Sequence, residues 1–311
     1  MKKVFTTLFI LTSILVLTAC NFSKRYDIIV SDYFTYDIVK QITADDLDVF
    51  MLQPIQMDYH TYQPDSRDLV ALKRTKLFVY ISEAHAPWVI GKDHLDDLLG
   101  DGIHVSFETL LNLNTSYDDM DEHHNHDHDN EHDHDHGFDF ISNPFYVVTI
   151  IERLVEVLYD VFPQYENDFI NRALAYIKKL EDLIEPVYLK RKSEETQTIY
   201  FVGHYALSGF SEAFNLNIRA LDENISPNSD PSSTEVTSFI KDLKDNGVKV
   251  LYHEEIPDLN TLNYIQSQVP NLAIYELHTF HKISQKDFNE YIGYYELIKR
   301  NITNLKAGLT T

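Results

Sequence analysis

Short apolar runs alternate with longer amphipathic segments along most of the chain, beginning near residue 26. Runs rich in β-branched and aromatic residues predict strands, whereas apolar residues three and four positions apart predict helices. In the first half the predicted strands are Tyr26–Ser31, Leu47–Leu52, Leu77–Ile81 and His104–Phe107. Helices or helical turns are predicted between them, at Thr35–Ile42, Asp65–Arg74 and Asp93–Leu99. This alternation is typical of a parallel sheet that helices cover on both faces.

The second half repeats the alternation. Its predicted strands are Thr198–Gly203, Leu216–Leu221, Val248–Tyr252 and Leu272–Leu277. Its predicted helices are Leu207–Phe214, Thr234–Asn246, Leu259–Gln268 and Asp287–Leu309. Two lobes also suit the length, because 311 residues are more than a single hydrophobic core comfortably holds.

A long helix is predicted between the halves, from Pro163 to about Lys192, because apolar residues recur at helical spacing there. Pro163 suits a first helical turn, and Pro186 is expected to kink or end the helix. About 25 helical residues span roughly 37 Å, the length of a whole domain. We interpret this segment as a rigid strut; by pattern alone it also fits one more sheet-covering helix. The predicted organisation is an N-terminal lobe over 26–161, a linker helix over 162–193 and a C-terminal lobe over 194–311.

The first residues have the pattern of an export signal. Lys2 and Lys3 precede an apolar stretch, Phe5–Leu17, which is too short for a confident membrane span. The stretch ends in Leu17-Thr18-Ala19-Cys20, which resembles the lipobox of bacterial lipoproteins, and Cys20 is the single cysteine of the chain. We therefore predict a signal peptide over 1–19, a lipid anchor on Cys20 and a tether over 20–25 to the outer face of the cytoplasmic membrane. The alternative is an ordinary signal peptide with an incidental cysteine.

Composition excludes several classes of function. The chain has 49 acidic against 26 basic residues, a net charge of −23, which argues against a nucleic-acid binder because such proteins rely on clustered Lys and Arg. A single cysteine excludes a disulfide framework and a CxxC metal or redox site. No glycine-rich phosphate-binding motif is present.

Histidine is concentrated in one acidic tract, residues 118–136. The tract has no apolar surface to bury and is predicted to be a disordered surface loop. Neutral imidazole binds zinc, copper and nickel, and neighbouring carboxylates add attraction for the ion. We therefore predict several weak, exchangeable metal sites in the tract, rather than a merely solvated polar loop. Their ligands would be His123, His124, His126, His128, His132, His134 and His136.

Three of the other histidines follow predicted strands: His60, His204 and His278. In parallel α/β sheets the carboxyl ends of the strands line the ligand crevice. Three imidazoles from such positions could complete most of a tetrahedral zinc shell. Each one alone is more simply explained as a surface or core residue.

Four segments together resemble a known family. Residues 58–69 (DYHTYQPDSRDL), 201–206 (FVGHYA), 225–241 and 277–284 (LHTFHKIS) are similar to segments of the metal-binding lipoproteins that supply zinc or manganese to ABC importers. The resemblance covers essentially all of the chain after the signal peptide, and a His/Asp-rich loop in this place is typical of the zinc members. It implies two (β/α)4 lobes joined by one long helix, with the metal bound in the cleft between them. It also implies a monomer that hands its ion to a membrane permease.

The resemblance also carries a ligand set onto this sequence. It implies His60 as the first ligand, His204 as the third and His278 as the fourth, with Glu254 as a further candidate. The family motif DPHxWLxP has histidine as the second ligand, whereas counting back from Pro144 gives Asp139 here. Asp139 or His136 could therefore supply the second ligand. A histidine at the third position favours Zn²⁺ over Mn²⁺.

Two other classes of function compete with zinc capture. A zinc hydrolase also uses three protein ligands and an open position, but the chain has no HExxH motif and no evident paired general base. Glu254 and Glu255 follow a predicted strand and are more simply explained as a crevice rim than as bases. An adhesin or a metal-storage lipoprotein is the other alternative, because relatives of this fold include adhesins.

Overall fold

The computed structural model describes residues 24–57, 61–89, 92–112, 139–204, 206–222 and 231–309, and for residues 92, 93 and 204 it describes the backbone. The predicted signal peptide, Cys20, His60 and the histidine-rich tract with His136 lie outside these residues. The expectations for them remain predictions.

Each half of the chain forms a four-stranded parallel sheet, which confirms the predicted two-lobe α/β fold. The first sheet has the order β2-β1-β3-β4 and consists of β1 (Ile28–Val30), β2 (Val49–Met51), β3 (Leu77–Tyr80) and β4 (Ile103–Ser106). The second has the order β6-β5-β7-β8 and consists of β5 (Gln197–His204), β6 (Leu216–Asp222), β7 (Val250–His253) and β8 (Ala273–Glu276). The two lobes therefore share one strand order.

Helices pack on both faces of each sheet. Those of the first half are α1 (Tyr33–Thr43), α2 (Ser66–Leu72), α3 (Lys92–Leu99), α4 (Phe107–Leu110) and α5 (Pro144–Val161). Those of the second half are α6 (Glu166–Lys192), α7 (Ser208–Phe214), α8 (Ser233–Asp245), α9 (Leu259–Gln268), α10 (Gln285–Asn289) and α11 (Tyr294–Leu309). Short 3₁₀ turns precede α5 and α6, at Phe140–Ser142 and Pro163–Tyr165. Within the described part of the chain, no helix is both long and apolar enough to cross a membrane.

The structure differs from the predicted elements in several places. Phe107, the end of the fourth predicted strand, begins the short helix α4, which was not predicted. Helix α5 was not predicted, although Asn143 caps it and Pro144 occupies its first turn. The helix expected over Asp287–Leu309 is two helices, α10 and α11, separated by residues 290–293. Pro186 does not end α6, which continues to Lys192. The lost backbone hydrogen bond is tolerated there because Ile184 and Val187 are buried in the core on either side of the proline.

Helix α6 is attached to both lobes. Near its start, Arg172 donates hydrogen bonds to the carbonyls of Ile42 and Thr43 at the end of α1, and it pairs with Asp46 at 2.7 Å. In its last turn, the buried Arg191 donates to the carbonyls of Phe214 and Asn215 in the second lobe. With 27 residues the helix is about 40 Å long, so the two arginines fix opposite ends of one rod to different lobes.

The carboxyl ends of the two sheets face each other. Phe34, just after β1, makes edge contacts with the rings of His278 and Phe280, which follow β8. Tyr33 donates a hydrogen bond to the carbonyl of Ile292 at 2.9 Å, and Asp37 accepts one from the N–H of Tyr294 at 2.7 Å. Because loops at the carboxyl ends of parallel strands hold ligands in α/β folds, this interface is where a site is expected.

Candidate metal site

The structure brings one carboxylate and one imidazole together between the lobes. Asp139 Oδ2 lies 3.1 Å from His281 Nε2, and the two side chains are 7% and 8% exposed. Asp139 precedes α5, whereas His281 follows β8, so the contact joins residues 142 positions apart. A buried carboxylate and a buried imidazole at this separation are a suitable pair of ligands for a divalent cation.

Asp139 is held in place by the start of α7. Its backbone N–H donates to Ser208 Oγ at 3.1 Å. A Cβ on Gly209 would lie 2.6 Å from the Asp139 carbonyl, so only glycine allows this approach. Since α7 begins four residues after His204, the Asp139 backbone is tied to the segment that carries the predicted third ligand.

His204 is the last residue of β5, the strand next to both β6 and β7. The strand is irregular between Phe201 and His204, where its register against β6 shifts. Gly203 has a φ of +147°, and a Cβ there would lie 3.0 Å from side-chain atoms of Glu254. Glu254 therefore packs against the residue that precedes His204, which keeps it near the predicted site.

His60 follows a segment that lines the same cleft. Residues 53–57 form one wall of a small cavity whose other walls include His281 and Asp32, the residue that caps α1. Met57 is three residues before His60. Met57 is the last residue that the structure describes before His60, and it lies at the cavity that His281 also lines.

The structure places His278 elsewhere than predicted. Its side chain is fully buried between Phe34 and Phe280, and its Nδ1 accepts a hydrogen bond from the N–H of Phe280 at 3.0 Å. Its Nε2 has no hydrogen-bond partner among the described residues. Burial lowers the pKa of His278, so the ring is neutral at neutral pH. His278, the fourth candidate ligand from the sequence, thus lies in the core, and the ring that faces Asp139 is that of His281, three residues later.

The reason for this shift is a sharp turn after β8. Phe280 has a φ of +68°, an uncommon conformation for a residue with a side chain, and is fully buried against Phe34 and Tyr294. The turn leaves His278 in the core and directs His281 toward Asp139. The sequence LHTFH contains both histidines, and no local pattern in it distinguishes His281 from His278.

Glu255, which the sequence predicts only as part of a crevice rim, lies beneath this turn. Its side chain is 3% exposed, and it accepts hydrogen bonds from the backbone N–H of Thr279 and of Lys282. Glu255 is thus a buried carboxylate.

Three of the other described histidines have hydrogen-bond or ion-pair partners of their own. His85 Nδ1 lies 2.7 Å from Ser82 Oγ, His104 lies 3.2 Å from Asp96, and His253 contacts the Glu254 carbonyl. His94 is exposed on α3. Among the residues whose side chains are described, no group of three or more His, Cys, Asp or Glu could hold a metal ion. Neither His60 nor the His204 side chain belongs to that set.

Two proteins similar to this chain are named for zinc binding or zinc uptake. The high-affinity zinc uptake system protein ZnuA of Bacillus subtilis is 26% identical over 290 residues, which are 92% of this chain and 88% of that protein. The zinc-binding protein AdcA of Streptococcus pyogenes is 23% identical over 296 residues; this chain spans 56% of the length of that longer relative.

One solved structure and one family model that match this chain are also named for zinc binding or zinc uptake. The Zn(II)-bound ZnuA-like domain of Streptococcus pneumoniae AdcA has the same fold, with a TM-score of 0.73 at 18% identity over 93% of this chain and 100% of that one. The model of the family described as "Zinc-uptake complex component A periplasmic" matches residues 28–308, nearly the whole described fold. The chain therefore belongs to this zinc-uptake family of periplasmic binding proteins, which are solute-binding transport proteins and not enzymes.

Proposed function

We propose that the chain captures Zn²⁺ in the cleft between its lobes through His60, Asp139, His204 and His281, and delivers it to the permease of an ABC importer. The observation that carries this proposal is the contact between Asp139 and His281. Two ligands of one tetrahedral zinc ion, each about 2.0–2.1 Å from the metal, are about 3.3 Å apart. The observed 3.1 Å between Oδ2 and Nε2 is close to that separation.

The donor set accounts for a preference for zinc. Three imidazoles and one carboxylate form a nitrogen-rich shell, which favours Zn²⁺ over the oxygen-preferring Mn²⁺. The buried carboxylate supplies one negative charge against the two positive charges of the ion. Glu254 lies close enough to Gly203 to serve as an additional oxygen donor beside His204.

The lipid anchor on Cys20 would hold the protein at the outer face of the membrane, beside its permease. The supporting feature is the segment Leu17-Thr18-Ala19-Cys20 after a short apolar stretch. A monomer is sufficient for this role, because each lobe contributes ligands from a single chain.

Isothermal titration with Zn²⁺ tests the ligand set. We expect His281→Ala and Asp139→Ala each to weaken binding at the tight site strongly, whereas His94→Ala, which removes an exposed histidine on α3, leaves it unchanged. Unchanged tight binding in both Asp139→Ala and His281→Ala would refute the proposed site. Growth of a deletion strain under zinc chelation tests the transport role, and growth equal to that of the parent strain would contradict it.

A further inference from the structure

The loop after β8, residues 278–282, is held at several points although only one of its side chains faces Asp139. Asn301, buried on α11, accepts from the backbone N–H of His278 at 2.7 Å and donates to its carbonyl at 2.9 Å. Phe280 is fixed by the His278 ring and by its apolar neighbours. A turn at a positive φ persists only when its surroundings hold it there.

Glu255 makes the contacts nearest to His281. Its Oε2 accepts from the N–H of Thr279 at 2.9 Å, and its Oε1 accepts from the N–H of Lys282 at 3.2 Å. The hydroxyl of Thr279 donates to the same carboxylate at 3.0 Å. The two backbone contacts lie on either side of His281, so one carboxylate spans the segment that presents the imidazole.

We infer that Glu255 is a positioning residue for the zinc ligand His281: it fixes the backbone on both sides of that residue and does not itself bind the ion. This inference rests on the proposed function. Both oxygens of Glu255 are already occupied by donors, and its side chain is 3% exposed. Groups that orient a ligand in this way typically contribute tenfold or more to metal affinity.

The chemistry of the contact defines the substitution. A carboxylate accepts hydrogen bonds at both oxygens, whereas an amide has one acceptor and one donor. In Glu255→Gln the amide NH₂ would therefore face either the Thr279 or the Lys282 N–H, and one side of the segment would be released. Every proposed ligand is still present in this variant.

The experiment measures Zn²⁺ affinity by competition with a chelating dye, using the mature chain from residue 20. We expect Glu255→Gln to weaken binding about 10–100-fold. The matched control is Glu290→Gln, which removes an exposed carboxylate and should leave the affinity unchanged. The visible spectrum of bound Co²⁺ should also change in Glu255→Gln, because the orientation of an imidazole ligand is altered.

A second variant and a double-mutant cycle separate positioning from a general loss of structure. Thr279→Val removes only the hydroxyl donor, and we expect a smaller effect in the same direction in a normally folded protein. In the His281→Ala background, Glu255→Gln should have no further effect on affinity, because the residue it positions is missing. An equal effect with and without His281 would overturn the inference.

Failure of the inference can be told apart from failure of the proposed function. If His281→Ala weakens zinc binding and neither Glu255→Gln nor Thr279→Val does, His281 is a ligand and Glu255 does not position it. If His281→Ala leaves the affinity unchanged, the proposed ligand set is wrong, and the positioning role is lost with it.

Discussion

Gly293 lies where the two lobes meet, and its replacement by alanine should weaken that junction. A Cβ at this position would lie 2.5 and 2.7 Å from the two carboxylate oxygens of Asp37, closer than the 3.0 Å that real Cβ atoms respect. Asp37 cannot move away freely, because it is buried and accepts hydrogen bonds from the N–H of Tyr294 and the side chain of Gln41. The added methyl group must therefore displace a carboxylate that links α1 to the start of α11.

Two costs contribute to the expected loss of stability. Overpacking costs about 1–3 kcal/mol, and loss of a hydrogen bond to a charged group costs about 1.5–3 kcal/mol, so the free energy of unfolding should fall by about 2.5–6 kcal/mol. At about 2–4 °C for each kcal/mol, the melting temperature should fall by roughly 5–24 °C.

Urea unfolding and thermal melts of the metal-free protein measure this effect. The Asp37→Ala/Gly293→Ala double variant is the internal control, since it removes the oxygens that the new methyl group would meet. The free energy of unfolding should fall less in the double variant than the sum of the falls in the two single variants, by about 1–3 kcal/mol. The reasoning is refuted if Gly293→Ala unfolds within about 0.5 kcal/mol of the parent, the range of an ordinary surface substitution.

Three further predictions follow from the site and its surroundings. Zinc at a thousandfold excess over Kd should stabilise the parent protein by about 4 kcal/mol, and His281→Ala should lose most of this gain; a full zinc-induced thermal shift in the variant would contradict the assignment. Deleting residues 118–136 should lower the number of zinc ions bound but leave one tight site in a calorimetric titration; loss of that site would show that His136 or another tract histidine is a ligand. Arg300 holds the pKa of Asp287 below the ordinary 3.8, so the stability that this carboxylate contributes is present at neutral pH and is lost as the pH falls below 3.8 toward the lowered value. In Asp287→Asn the free energy of unfolding, measured with urea, should therefore fall less steeply as the pH is lowered into the acid range. An unchanged dependence on pH in this range would count against the Arg300 contact.

The lobes could be predicted from the sequence because their signal is local. A buried parallel strand such as β3 is a continuous apolar run, and each is separated from the next by a segment with helical spacing. Helix α5 had a local signal as well, in its Asn143 cap, Pro144 and apolar spacing, and could have been predicted in the same way.

The contact between Asp139 and His281 could be predicted only in part. Counting back from Pro144 gives Asp139 as a candidate ligand, whereas the choice between His278 and His281 depends on the path of the loop after β8. That path is determined by contacts of Phe280 with Phe34 and Tyr294, which are distant in sequence. The contacts of Glu255 are also non-local, because its carboxylate accepts hydrogen bonds from N–H groups more than twenty residues away in the sequence.

The main hydrophobic core extends through both lobes. Ile28 and Val79 of the first sheet, Leu180 of α6, and Phe201 and Leu297 of the second half belong to one continuous cluster of buried side chains. Residues that share a core lose their packing together, so the two lobes should unfold in a single cooperative transition. A cut within α6 would expose apolar surface on both fragments, and neither lobe could serve as an independent module. The cleft that carries Asp139 and His281 is therefore a property of the whole chain, formed only when both halves have folded.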